Sequence, residues 1–123
     1  KRALCHFFKM IVLNNILKNG DAHLKNFGLL YSGIDDIDLA PAYDVVCTTS
    51  YIKSDIPALH LLGSKKWQSK KMLLRFGIES CLLSKGDSLK AYEACEVAYL
   101  KIKKEFKNSK YDRYLECILL SMQ

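Results

Sequence analysis

Apolar residues recur at Leu4, Phe7, Phe8, Ile11, Val12 and Ile16, and the pattern then breaks at Asn19-Gly20. Residues three and four apart share a helix face, so this spacing predicts one helix with a broad buried stripe. Asn and Gly tolerate the left-handed backbone that closes a helix, and the pair predicts its C-terminus. The next segments change period. "FGLLYS" and "DIDLAPAY" are short and extended, separated by Gly33 and two aspartates, and they predict a small hairpin. Pro41 stops the second strand, because proline offers no N–H to a ladder.

Residues 45–63 keep no period and contain Pro57, so an ordered loop with short helical turns is expected. Ser69 predicts the cap of a helix that runs to Phe76 and ends at Gly77. A short helix through Cys81 to Leu83 is expected next, ending near Gly86. Asp87 or Ser88 is then expected to cap the longest helix, with Leu89, Tyr92, Cys95, Tyr99, Ile102 and Phe106 as its inner stripe. "KNSK" breaks that helix, and Tyr111, Leu115, Ile118, Leu119 and Met122 predict a last amphipathic one. The expected fold class is mainly α, with a small β-hairpin, and no internal repeat or low-complexity linker is visible.

With 123 residues, half of them hydrophobic, the chain is sized for one small domain or part of a larger protein. Charges interrupt every apolar run, so none has the length of a membrane span. The basic, apolar start resembles a signal peptide superficially. It lacks a small-residue cleavage site, and Lys9 and Lys18 divide it, so it reads as a helix. The five cysteines are scattered and form no C-x-x-C pair. That argues against a disulfide framework and a zinc site, and it predicts reduced thiols in a cytoplasmic protein. The net charge of +6 favours anionic partners. The lysines gather in Ser64–Arg75 and Lys101–Lys110, where solvated helix faces are the plain reading. No basic stretch is interleaved with aromatics, so no direct nucleic-acid binding is expected.

The chemistry concentrates in "NGDAHLKNFGLLY", Asn19 to Tyr31. Asp21 and Asn26 stand in a D-x-x-x-x-N spacing. In kinases such a loop turns an acid toward the incoming hydroxyl and an amide oxygen toward magnesium. Lys25 and His23 lie between them, where each would meet phosphoryl oxygens. Magnesium prefers oxygen ligands and needs a second carboxylate, which Asp44 in "LAPAYDVV" supplies. A hairpin between Asn26 and Asp44 would bring the two side by side. Local readings stand beside this one: Asp21 as a helix N-cap, His23 as a satisfied polar residue near the core, Asn26 as a turn former, Asp44 as a cap. Asp35, Asp36 and Asp38 read as solvated hairpin residues.

"NGDAHLKNFGLLY" followed by "LAPAYDVVCT" resembles the catalytic core of the HipA family, serine/threonine protein kinases of bacterial toxin–antitoxin modules. The family pattern is D-A-H-x-K-N, an extended aliphatic segment, then L-A-P-x-Y-D, and both halves match in order and spacing. "PALHLLGSKKW" also resembles the loop that follows the family's metal aspartate. The likeness covers most of residues 1–80; the C-terminal helices fit the family's helical lobe only generically. It implies a kinase C-terminal lobe over 1–123 as a single domain. It implies Asp21 as catalytic base, Asn26 and Asp44 as magnesium ligands, His23 and Lys25 at the phosphates, and Tyr43 packed at the nucleotide. The implied cofactors are ATP and Mg2+, and the implied substrate is a protein hydroxyl, in the family often within the translation machinery. An antitoxin partner is implied as well.

A kinase also needs a phosphate-covering loop, a nucleotide lysine and an acidic partner for that lysine. None lies between Lys1 and the catalytic loop, so the expectation is half a kinase: an expressed fragment, a truncated gene product, or one subunit of a split enzyme that a separate N-terminal lobe completes. The alternative is a non-catalytic truncated lobe that serves as an adaptor through its basic segments.

Overall fold

The computed structural model describes residues 1–108. Among them are three α-helices, α1 (Arg2–Ile16), α2 (Lys70–Glu79) and α3 (Lys85–Lys107), and two strands, β1 (Leu29–Gly33) and β2 (Asp36–Leu39). The fold of the described residues is helix-rich with one antiparallel hairpin. The predicted last helix at Tyr111–Met122 lies outside the described residues.

Phe8 and Val12 of α1 are fully buried against Leu73 and Phe76 of α2, Ala91, Tyr92 and Cys95 of α3, and Cys81 and Leu83 between those helices. Fully burying one large apolar side chain stabilises by about 1.5–3 kcal/mol, so this stripe is the main source of fold stability. α1 closes earlier than Asn19-Gly20. Lys18 takes the left-handed backbone, at φ 55°. The Asn19 N–H then reaches the Asn14 carbonyl at 2.9 Å and the Lys18 N–H the Asn15 carbonyl at 3.3 Å. These are the paired bonds of a Schellman closure, with a lysine where glycine is usual.

Ser69 caps α2, its hydroxyl accepting from the Met72 N–H. The helix does not stop at Gly77 but runs on to Glu79. Gly77 is there for proximity: a Cβ would lie 2.5 Å from Ser88 Oγ and 2.9 Å from the Phe8 ring. The short helix expected at Cys81–Leu83 is absent. Leu82 adopts φ 55° and points outward, while Cys81 and Leu83 on either side enter the core. α3 starts one turn earlier than expected, capped by Ser84, which accepts from the Asp87 N–H at 3.0 Å. Its inner face is Ser88, Ala91, Tyr92 and Cys95, with Tyr99 and Phe106 half-buried. Leu89 and Ile102 are exposed, contrary to the predicted stripe. Ser88 fits the interior because it donates to the Leu74 carbonyl at 3.2 Å, which satisfies its hydroxyl.

The hairpin forms where the two segments predict it. Leu29 pairs with Leu39, Leu30 with Asp38 and Tyr31 with Ile37, with an irregularity before Gly33 pairs with Asp36. The Ala40 N–H adds a bond to the Gly28 carbonyl at 2.9 Å, and Pro41 follows. Residues 45–63 hold one short 3-10 turn, Thr48–Ser50. No described helix is long and apolar enough to cross a membrane. Cys5, Cys47, Cys81 and Cys95 are free thiols.

Candidate phosphotransfer site

The polar loop is held before it reaches the hairpin. Asn19 is buried, its amide donating to Asn14 Oδ1 at 2.8 Å and its Oδ1 accepting from the Asp21 N–H at 3.2 Å. Thr48 grips the chain on both sides of Asn19. Its hydroxyl donates to the Lys18 carbonyl at 3.1 Å and accepts from the Gly20 N–H at 2.8 Å. The Thr48 N–H also donates to the Lys18 carbonyl, at 3.1 Å. Gly20 has no room for a side chain: a Cβ would stand 2.0 Å from Asp55 Oδ2. Asp55 is fixed in turn by its carbonyl, which accepts from Trp67 Nε1 at 3.1 Å. Lys18 lies over the same indole, its Nζ 4.9 Å from the ring centroid.

From this anchor the loop turns through a single 3-10 turn, Leu24–Asn26. The His23 N–H donates to the Asp21 carbonyl at 2.8 Å and to Asn26 Oδ1 at 3.1 Å, and the Asn26 N–H donates to the His23 carbonyl at 2.9 Å. Buried Asn26 then donates from Nδ2 to Asp44 Oδ2 at 3.1 Å. The hairpin does bring residues eighteen apart in sequence into one polar pair. Asp44 sits at φ 54°, a left-handed backbone that aspartate tolerates better than most residues. The Tyr43 hydroxyl donates to the Lys25 carbonyl, closing a second tie across the hairpin base. Phe27 packs edge-on against Phe7 of α1, with ring centroids 5.3 Å apart, and so fixes the loop exit.

Asn26 and Asp44 therefore share one polar pair. Asp21, His23, Lys25 and Tyr43 are joined to that pair through the backbone of one short loop. The Asp21 carboxylate and the Lys25 ammonium are exposed and make no hydrogen bond or ion pair among the described residues. Tyr43 is half-exposed and engaged with the loop backbone, a tie that sequence reasoning did not foresee. Asp44 offers carboxylate oxygens and Asn26 its amide Oδ1, which also accepts from the His23 N–H; these are hard donors of the kind magnesium takes beside waters and substrate phosphates. No cluster of three or more His, Cys, Asp or Glu side chains with metal-holding geometry occurs among the described residues.

Sequence reasoning missed Asn19, Gly20, Thr48, Asp55 and Trp67 as organisers of the loop. The one available signal was the density of Asn14, Asn15 and Asn19 around a helix end, a place where side-chain amides replace lost backbone partners.

A family model described as the HipA-like C-terminal domain matches residues 1–118. Among curated proteins, "Putative kinase Y4dM" of Sinorhizobium fredii is 38% identical over 64 residues. The match covers 51% of this chain and 16% of that protein, so the chain corresponds to a small part of the relative.

Proposed function

This chain belongs to the HipA-like C-terminal domain family, and from that premise we propose that it is the catalytic-loop lobe of a serine/threonine protein kinase. The reaction is transfer of the terminal phosphoryl group of ATP to a protein hydroxyl, in the setting of a cytoplasmic toxin–antitoxin module. The observation that carries this reading is the Asn26–Asp44 pair at 3.1 Å, built across the hairpin beside the Asp21 loop.

Asp21 accepts the proton of the attacking hydroxyl as the hydroxyl oxygen bonds to the terminal phosphorus and the bond from that phosphorus to the departing ADP breaks. Its backbone is tied to Asn19 and His23, and among the described residues no cation pairs with its exposed carboxylate to neutralise it. Lys25 and His23 face the charge that spreads over the phosphoryl oxygens. Asn26 and Asp44 would hold magnesium, which when bound neutralises phosphate charge and orients the transferred group. Tyr43 braces the loop at the nucleotide side. The phosphate-covering lobe, the antitoxin and a substrate from the translation machinery belong to the same proposal.

Calorimetric titration of the chain with ATP, with and without magnesium, tests it. The expected result is magnesium-dependent binding that Asp44→Ala abolishes and Asp21→Ala keeps. Binding indifferent to both magnesium and Asp44→Ala would remove the metal site from the reading.

A further inference from the structure

Gln68 and Lys103, one from each lysine-rich stretch and far apart in sequence, meet on one side of the fold. Tyr92, Glu96, Tyr99 and Lys103 succeed one another at three- and four-residue steps and share a face of α3. With Asn15, Ile16, Lys18 and Gln68 they line an open groove of about 400 Å3. Three lysines here sit over rings. Lys18 Nζ is 4.9 Å from the Trp67 centroid, Lys70 Nζ 4.7 Å from Tyr92, and Lys103 Nζ 5.7 Å from Tyr99. Lys70 also pairs with Glu96 at 3.3 Å. Lys18 and Lys103 have no carboxylate within ion-pair distance among the described residues.

We propose that this groove docks an acidic peptide segment of the protein substrate, next to the site of phosphoryl transfer. The inference rests on the kinase reading for the identity of the docked protein. Its first support is charge: among the described residues, two ammonium groups without a carboxylate partner flank one compensated pair. The second is preorganisation, because the rings restrict lysine rotamers before a ligand arrives and so lower the entropy lost on binding. The third is position, since Lys18 opens the same loop that carries Asp21. Glu96 on the groove wall is paired with Lys70, so the groove attracts anions through two separated lysines and not through a continuous basic track. That favours separated carboxylates on a peptide over a nucleic acid. Burial lowers the Lys18 pKa by desolvating its charged form, which a neighbouring carboxylate would favour in turn.

The probe is a short fluorescein-labelled peptide of glutamates around one serine, titrated into the 123-residue chain by anisotropy. A lysine counterpart and a labelled oligothymidylate run beside it. The glutamate peptide is expected to bind, with affinity that falls as salt rises. Lys103→Glu and Lys18→Glu are each expected to weaken it about tenfold. Lys103→Glu should leave magnesium-dependent ATP binding unchanged, and circular dichroism confirms the fold of each variant. Should Lys18→Glu fail to fold, Lys103→Glu alone decides. Peptide binding that survives charge reversal, or a preference for the oligothymidylate or the lysine peptide, overturns the docking groove. In those cases the ATP titration still judges the kinase reading independently.

Discussion

In the helical core Phe8 and Val12 are fully buried, whereas on the hairpin Ile34 is 94% and Tyr31 78% exposed. The two regions are held by different physics. The helices interlock through apolar side chains. The loop and hairpin that carry the candidate site are held by directed hydrogen bonds, from Thr48, Asn19, Asn26 and Tyr43, with Phe27 as an apolar tie to α1. Directed bonds set the orientation of a few groups while leaving Asp21, Lys25 and Asp44 open to a substrate. Apolar burial would orient less sharply and would close the site.

The largest expected effect lies in the core. Phe8→Ala should lower unfolding free energy by about 3–5 kcal/mol, read by urea denaturation. A loss below 1 kcal/mol would mean that α1 is not the centre of the core. Gly77→Ala comes next, because its Cβ meets Ser88 and Phe8; about 1–3 kcal/mol is expected from such overpacking. Thr48→Val keeps shape but strands the buried Gly20 N–H, at about 1–3 kcal/mol. Unlike the core changes, it should also weaken magnesium-dependent ATP binding. If it moved stability alone, the clamp would be a structural feature with no bearing on the site.

The thiols sharpen the same contrast. Burial pushes the Cys81 and Cys95 thiols up to about 11. These groups therefore favour the protonated, folded state. Their contribution is complete below the ordinary thiol range and is lost as pH rises toward 11. Stability is thus expected to fall over that window, and Cys81→Ala should flatten the fall. Half-buried Cys47 should react with an alkylating reagent before either buried thiol, as peptide mapping would reveal. The smallest effect belongs to the hairpin surface. Ile34→Ser should change stability by no more than about 0.5 kcal/mol, because nothing in the described structure covers that side chain.

Much of this was legible in residue order. The helical period from Leu4 to Ile16, the two extended segments and the stop at Pro41 all appear as elements. The expectation that a hairpin returns Asp44 to Asn26 matches the observed pair. The helix boundaries were less legible. Gly77 reads locally as a terminator, yet it lies inside α2 because Phe8 and Ser88 need the space. Asp87 reads as a cap, yet Ser84 captures the free N–H first. Leu89 and Ile102 fit a helical stripe, but α3 turns a slightly different face inward, led by Ser88 and Ala91.

By itself the sequence determined the order of elements, the family likeness and the set of chemical groups in the loop. Periodicity, turn residues and motif spacing are relations among chain neighbours, and they survive without any tertiary contact. Only the tertiary structure decided that Thr48 holds the loop, that Asp55 lies against Gly20, and that Lys18, Trp67, Tyr92, Tyr99 and Lys103 gather on one side. Those contacts join residues from separate segments. Their existence depends on how α1, α2 and α3 pack, which no local pattern encodes.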